Sequence, residues 1–278
     1  MQRKKEIVAE YDTAGLIRLN KYLSDAGVCS RRQADKLIEE GKVTVDQIPA
    51  VTGMRISRDQ EVRVEGRKVT VEDEFILLAC NKPRGIECTT AETEGNIVDF
   101  IRYPKRIYPI GRLDKDSEGL ILLTNHGAIV NKILKASNYH EKEYEVMVNR
   151  PIDEAFIKKM ANGVRIHKIE KKNGEKKVIF EAVTRKCKVT KTGERTFRIV
   201  ITQGLNRQIR RMCEACNAKV VTLKRIRIMN IRLGDLKTGE VREVTDEELK
   251  GLLDKKDRMD GSYGREIKEN QGTGSAAK

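Results

Sequence analysis

The stretch Gly111-Arg112-Leu113-Asp114-Lys115-Asp116-Ser117-Glu118-Gly119-Leu120-Ile121-Leu122-Leu123-Thr124-Asn125 divides into two unlike halves. Leu120 to Leu123 is an unbroken aliphatic run, short enough to be a buried strand. The half before it is polar, charged and bracketed by Gly111 and Gly119. A charged loop tethered to a buried strand is a common place for a fold to display chemistry. Two acids stand in it, Asp114 and Asp116, beside Arg112 and Lys115. The residues by themselves do not choose between the acids, and a surface turn of solvated charges fits them equally well.

Outward from this loop, strands and helices succeed one another. Phe75 to Cys80 reads as a second buried strand, ending in the basic turn Asn81-Lys82-Pro83-Arg84-Gly85. Asn96 caps a short helix through Phe100, and Ile107 to Ile110 leads into the loop. Gly127 to Lys135 reads as a helix with Ile129, Val130, Ile133 and Leu134 inward. Lys142 to Val148 has period two, which puts Tyr144, Val146 and Val148 on one inner face. Tyr144 is then either a core residue or the wall of a pocket. Ile152 to Met160 is helical in pattern, residues 164–185 hold a basic turn at Lys171-Lys172-Asn173-Gly174, and Thr196 to Thr202 alternates like a strand.

A helix capped by Asn206 follows. Its stripe Ile209, Met212, Cys213, Cys216 is apolar, and Arg207, Arg210, Arg211 and Glu214 take the opposite stripe. The arginine stripe faces either water or a nucleic acid groove. Val220 to Leu223 and Ile226 to Met229 are strand-like, with Lys224, Arg225 and Arg227 interleaved. Thr245-Asp246-Glu247-Glu248 is a capping box that opens a last helix to Leu253.

The N-terminal part is a smaller unit. Leu19, Tyr22, Leu23 and Ala26 share a helical face closed by Gly27. Ser30 caps a second helix, Arg31 to Glu40, with Ala34, Leu37 and Ile38 inward. Lys42 to Val45 and Glu61 to Val64 alternate like strands. Arg31 and Arg32 sit in the first turn of the second helix, the end that cations avoid. A partner's phosphates at that positive helix end would account for them.

The chain of 278 residues carries a net charge of +14, with 38% hydrophobic and 35% charged residues. Residues 1–75 are balanced, 14 basic against 14 acidic, so the whole excess lies in 76–278, 42 against 28. It is densest from Arg195 to Arg232, with ten basic residues and one acid, Glu214. So one-sided a run points to a polyanion, and nucleic acid is the expected partner. No apolar run approaches the roughly 20 residues that span a bilayer. Residues 1–10 lack the apolar core of a signal peptide, so a cytoplasmic location is expected. The six cysteines, scattered through a chain of this size, read as reduced thiols. Cys213 and Cys216 have C-x-x-C spacing, but with no second pair and both on an apolar stripe they argue against zinc or redox use. His126, His140 and His167 form no ligand set, and His126 reads as a structural turn residue.

Two resemblances sharpen this reading. Arg18-Leu19-Asn20-Lys21-Tyr22-Leu23, Ser30-Arg31-Arg32-Gln33-Ala34-Asp35 and Leu37 to Val45 resemble the S4 RNA-binding domain. One departure is that Asp46-Gln47-Ile48-Pro49 stands where that family has an Asn-Gly turn. Gly111 to Asn125 resembles the signature of pseudouridine synthases of the RsuA/RluB/RluE/RluF family: Gly-Arg-Leu-Asp, two free positions, Ser/Thr, one free position, Gly, four aliphatics, Ser/Thr, Asp/Asn. The similarity continues through Lys142-Glu143-Tyr144 and Asn206 to Met212, and with the N-terminal module it covers about 230 residues.

The resemblance implies an α+β fold. An S4-like domain (16–65) is joined by a linker (66–74) to a catalytic domain (75–253) built on a mixed, largely antiparallel sheet flanked by helices. A flexible arm (1–15) and a disordered tail (254–278) complete the expected organisation. It also implies an isomerase that turns uridine into pseudouridine in large-subunit (23S) ribosomal RNA. The expected protein is a monomer that uses no cofactor and no metal. A tRNA substrate, or an RNA-binding assembly factor without chemistry, are the alternatives. By the family's pattern Asp114 is the catalytic acid, paired with Arg210, and Tyr144 stacks on the target base. Arg112 occupies the space that the flipped nucleotide leaves or braces that nucleotide, and Arg207, Arg211, Arg31, Arg32 and Lys82 are the expected RNA contacts.

Overall fold

The computed structural model describes residues 15–57, 59–71, 75–90, 94–134, 139–172 and 175–253. The expected arm before Gly15, the end of the linker at 72–74, the tip of the basic turn at 173–174 and the tail from 254 lie outside them. The chain falls into two compact units. One takes the described residues up to Lys132 together with Asp235–Glu243, and the other takes Ile133–Gly234 and the described residues from Val244 onward.

In the first unit the two N-terminal helices form as their sequence directs. After β1 (Ile17–Arg18), α1 spans Leu19–Asp25 and α2 spans Arg31–Glu39. Gly27, at φ +77°, turns the chain between them in a conformation that a side chain disfavours. The Ser30 hydroxyl accepts the Gln33 amide while the Gln33 side chain accepts the Ser30 amide, which satisfies two helix-end donors. Leu19, Leu23, Ala34 and Ile38 close over Val43, Val45, Ile56 and Val62. Those valines come from a four-stranded sheet of β2 (Val43–Val45), β3 (Ile48–Pro49), β5 (Val62–Val64) and β6 (Arg67–Val69), in the order β3-β2-β5-β6. The short β4 (Arg55–Ile56) pairs with β1 instead.

The departure at the hairpin tip keeps the turn. Val45 pairs with Ile48, so Asp46 and Gln47 form a two-residue loop, with φ of 50° and 68°. Both positive angles are those of the turn for which Asn-Gly is the usual solution. Here the Asp46 carboxylate supports it, accepting from the Glu61 amide and from Gln60 Nε2, each at 2.8 Å.

The rest of this unit is an antiparallel sheet. β7 (Leu77–Lys82) lies between β9 (Glu118–Thr124) and β17 (Val241–Glu243), and β8 (Tyr108–Ile110) pairs along the later part of β9. Leu120 to Leu123 are fully buried, as their aliphatic run implies. Thr124 Oγ1 donates to the Ile76 carbonyl at 2.7 Å, and Asn125 Oδ1 accepts the Ile76 amide at 3.0 Å. The last two positions of the signature therefore latch β9 to the residue that precedes β7. Between β7 and β8, α3 (Ile97–Ile101) is capped by Asn96, whose Oδ1 accepts from Val98 and Asp99. α4 (Gly127–Leu134) buries Ile129 and Ile133, four residues apart. Leu134, expected inward, is 40% exposed: it is the last residue of the helix and lies off that narrow stripe.

Within the second unit the strands are antiparallel neighbours in the order β13-β14-β10-β15, with β16 beside β15. Its strands are β10 (Lys142–Val148), β13 (Lys188–Lys191), β14 (Thr196–Ile201), β15 (Val220–Ile228) and β16 (Ile231–Arg232). The two strand-like pieces read around Lys224 are thus one strand. Residues 164–185, for which the sequence signalled only a turn, form a hairpin of β11 (Arg165–Lys172) and β12 (Glu175–Val183). Asp153 caps α5 (Glu154–Ala161), which buries Phe156 and Met160. α6 is Gln208–Ala215, and α7 (Asp246–Leu253) opens on the expected Thr245–Glu248 capping box.

Candidate active site

In the first unit the charged loop before β9 is held between two glycines in the left-handed region, Gly111 at φ 77° and Gly119 at φ 103°. Leu113 and Ser117 are buried inside it, Asp114 and Asp116 are half-buried, and Arg112 is exposed. The Ser117 amide donates to the Asp114 carbonyl at 3.0 Å, which closes a turn around the acid. The Gly85 amide donates to the Lys115 carbonyl at 2.7 Å, which ties the loop to the turn after β7. Asp114 is therefore displayed from a backbone fixed on both sides and anchored to the buried strand β9.

Lys82 corrects an expectation. The sequence places it in a basic turn as an RNA contact, but it ends β7 with 0% of its surface exposed. Its ammonium donates to the carbonyls of Pro83 and Ile86, each at 2.8 Å. A buried ammonium needs such acceptors, and Lys82 organises the turn from inside rather than offering a cation on its surface.

Arg31 and Arg32 are exposed at the start of α2. The Arg31 guanidinium comes within 3.9 Å of where a Cβ would stand on Gly127. Tyr108 lies in the same place, and burial, then Asp25, push its hydroxyl pKa well above the ordinary range. Arg106 Nη1 donates to the Ser24 carbonyl at 3.3 Å, a contact between the end of α1 and the segment before β8.

In the second unit β10 delivers what its period promised: Tyr144, Val146 and Val148 are buried. Tyr144 retains 7% exposure. Across β15 it stands opposite Arg225, whose guanidinium lies 6.0 Å from the centre of its ring. Arg225 is itself 3% exposed, and sequence reasoning did not single it out. Lys142, two residues before Tyr144, has its ammonium pKa lowered by burial and then by the charge of Arg225.

The arginine stripe of α6 divides. Arg207 is exposed, Arg211 is half-buried, and Arg210 is buried with 7% exposure, so Arg210 belongs to the interior rather than to an outer face. The cap differs too. Arg207, at φ 51°, is the N-cap residue, while Asn206 uses its carboxamide oxygen to accept from Arg211 Nη2 at 2.7 Å. Arg211 also lies over the Phe180 ring of β12, 5.9 Å from its centre. Ile209, Met212, Cys213 and Cys216 are buried as the apolar stripe requires. Burial raises the thiol pKa values of Cys213 and Cys216, the opposite of an activated thiolate, and all six cysteines are free. His126 is buried edge-on to Phe75 at 6.2 Å, with its amide donating to Thr124, which fits a structural turn residue.

Comparison with known proteins accords with this arrangement. The family described as RNA pseudouridylate synthase matches residues 76–215, and the S4 domain matches residues 17–62. The dual-specificity RNA pseudouridine synthase RluF of Salmonella typhi is 50% identical over 239 residues, covering 85% of this chain and 78% of that protein. The ribosomal large subunit pseudouridine synthase B of Bacillus subtilis is 36% identical over 239 residues, covering 84% of this chain and 95% of that protein. A crystal structure of a pseudouridylate synthase superposes with a TM-score of 0.60 at 28% identity, over 85% of this chain and the whole of that one. The strand-anchored acid loop, the S4 module before it and this level of identity lead to one conclusion: the chain belongs to the RNA pseudouridine synthase family, enzymes that isomerise uridine to pseudouridine in RNA.

Proposed function

We propose that this enzyme isomerises uridine in 23S ribosomal RNA, that Asp114 is the acid on which the reaction turns, and that the target nucleotide is swung out of its stack to reach it. The observation that carries the proposal is the setting of Asp114. It fills the acid position of the signature on a turn closed by Ser117 and bonded to Gly85, at the foot of a fully buried strand.

The reaction is balanced without an external reagent. The N1–C1′ bond breaks, the uracil turns in place, C5 bonds to C1′, C5 loses its proton and N1 gains one. Breaking the glycosidic bond builds positive charge on the sugar and negative charge on the base. A carboxylate beside C1′ stabilises the first or adds to it covalently. Tyr144 is the surface on which the uracil is held flat, and base–aromatic stacking contributes roughly 1–3 kcal/mol. Arg210, buried and permanently charged, is the cation that pairs with this acid. Arg112 is exposed on the same loop as Asp114 and takes the space that the extruded nucleotide leaves. Arg207 and Arg211, with Arg31 and Arg32 on the N-terminal module, contact backbone phosphates. The enzyme works as a monomer, without cofactor, in the cytoplasm. Residues 16–65 act as a separate RNA-binding domain.

A second substrate is favoured by one observation: relatives about half identical to this chain are described as dual-specificity enzymes. A tRNA is the second class that this reading names. The test is release of tritium from RNA labelled at uracil C5, with 23S rRNA, 16S rRNA and tRNA as separate substrates. Release from 23S rRNA, with or without tRNA, agrees with the proposal. Release from tRNA alone moves the target, and no release from any RNA refutes the reading.

A further inference from the structure

We propose that Arg225 is a positioning residue for the reaction, and that a one-residue bulge at Ile226 exists to aim it at the ring of Tyr144. The inference rests on the reading of Tyr144 as the platform for the target base.

The argument starts from register. In a regular strand Arg225 and Arg227 would point to the same face, because side chains alternate. β15 does not run regularly against β10. Glu143 pairs with Arg227, but Tyr144, the next residue, pairs with Arg225, and Ile226 has no opposite number. Glu143 and Tyr144 face opposite sides of β10, so the extra residue sends the two arginines to opposite sides as well.

The contacts agree. Arg227 Nε donates to Glu143 at 2.7 Å, Arg227 Nη2 donates to Glu141 at 2.9 Å, and Nη1 donates to the Met229 carbonyl. Arg225 goes the other way, is buried, and comes to rest 6.0 Å from the centre of the Tyr144 ring. Bulges bend a strand and re-aim a side chain, and they gather beside active sites for that reason.

Two consequences follow from the chemistry. A guanidinium against an aromatic ring holds the ring by its quadrupole and restricts its tilt. Lys142 lies two residues away on the strand and is sensitive to the charge of Arg225, so the guanidinium also fixes the local field. Arg227 has the complementary duty: paired with Glu141 and Glu143 on the far side, it locks the register that keeps the bulge at Ile226. A ring held in one orientation presents one plane to a uracil that must stay flat while it turns. A small misplacement of a positioning group costs up to about a hundredfold in rate.

The test compares Arg225→Met and Arg225→Lys with the unaltered enzyme in single-turnover tritium release, alongside equilibrium RNA binding and thermal melting. Arg225→Met is expected to lower the turnover rate roughly 100-fold, with RNA Kd within threefold. Arg225→Lys keeps the charge but not the planar fork, and is expected to recover about a tenth of the lost rate or more. The proposal is overturned by turnover within twofold of the unaltered enzyme for Arg225→Met, or by a rate loss matched by an equal loss of RNA affinity. It is also overturned if both variants fail to fold, since Arg225 would then serve the sheet itself. Tyr144→Ala is run beside them. If that variant releases tritium at the rate of the unaltered enzyme, the underlying reading of Tyr144 fails, which is distinguishable from failure of Arg225 alone.

Discussion

Lys142 shows how one residue reports on the field around Tyr144. Its ammonium is held below the ordinary value of 10.5 by burial and by Arg225. A lysine whose pKa is lowered by folding binds fewer protons in the native state than in the unfolded one. Its charged form is therefore a cost, fully present below the folded value and relieved as pH rises toward 10.5. We expect the unfolding free energy of the native sequence, measured relative to Lys142→Met, to rise between neutral pH and about 10 in denaturant titrations. A difference that is flat or falls with pH would contradict the assigned environment. In an Arg225→Met background the same rise should begin at higher pH, because one of the two causes is gone.

At the scale of elements, the latch between β9 and β7 makes a direct prediction. Thr124→Val keeps shape but removes the donor to the Ile76 carbonyl, and should cost about 1–2 kcal/mol in denaturant unfolding. Gly163 makes a second. It stands at φ +93°, and a Cβ there would sit 2.5 Å from the Thr184 carbonyl oxygen, so Gly163→Ala should destabilise by more than about 1 kcal/mol. A neutral result for either would mean that the backbone gives way more easily than its contacts imply.

Elements also show what the sequence could and could not tell. The strand Leu120–Leu123, the capping boxes at Ser30 and Thr245, and the inner face of β10 were legible because each is a local pattern of hydrophobicity or helix-end chemistry. Lys82 was misplaced because a polar residue beside Pro83 and Gly85 reads as surface, and nothing local announces that two carbonyls will fold back to receive it. Arg210 was read with its stripe, yet its burial depends on tertiary neighbours. Arg225 was hidden for a different reason. Alternation predicts that it shares a face with Arg227, and a bulge of one residue, which only pairing with β10 reveals, undoes the prediction. The β11–β12 hairpin was missed because its hydrophobic pattern is weak and much of it is charged.

For the whole molecule, charge and modularity set the expectations. RNA binding should weaken steeply with salt. Arg207→Gln and Arg211→Gln should each reduce the slope of log affinity against log salt by about 1 if both contact phosphates. Unchanged slopes would return those arginines to a purely structural role, for which Arg211 already has Asn206 and Phe180. Removal of residues 1–65 should lower affinity and site choice while the remainder folds, although it strips the Ser24 contact from Arg106 and uncovers Tyr108. A truncated chain without a cooperative melt would show that the N-terminal module is part of the catalytic fold.

The enzymatic reading of the site depends on Asp114 as the reacting acid. The most direct measurement is tritium release from C5-labelled 23S rRNA by Asp114→Asn, made together with RNA affinity on the same preparation. The account predicts affinity within a fewfold of the unaltered enzyme and no detectable release. Release at a rate near that of the unaltered enzyme would contradict it.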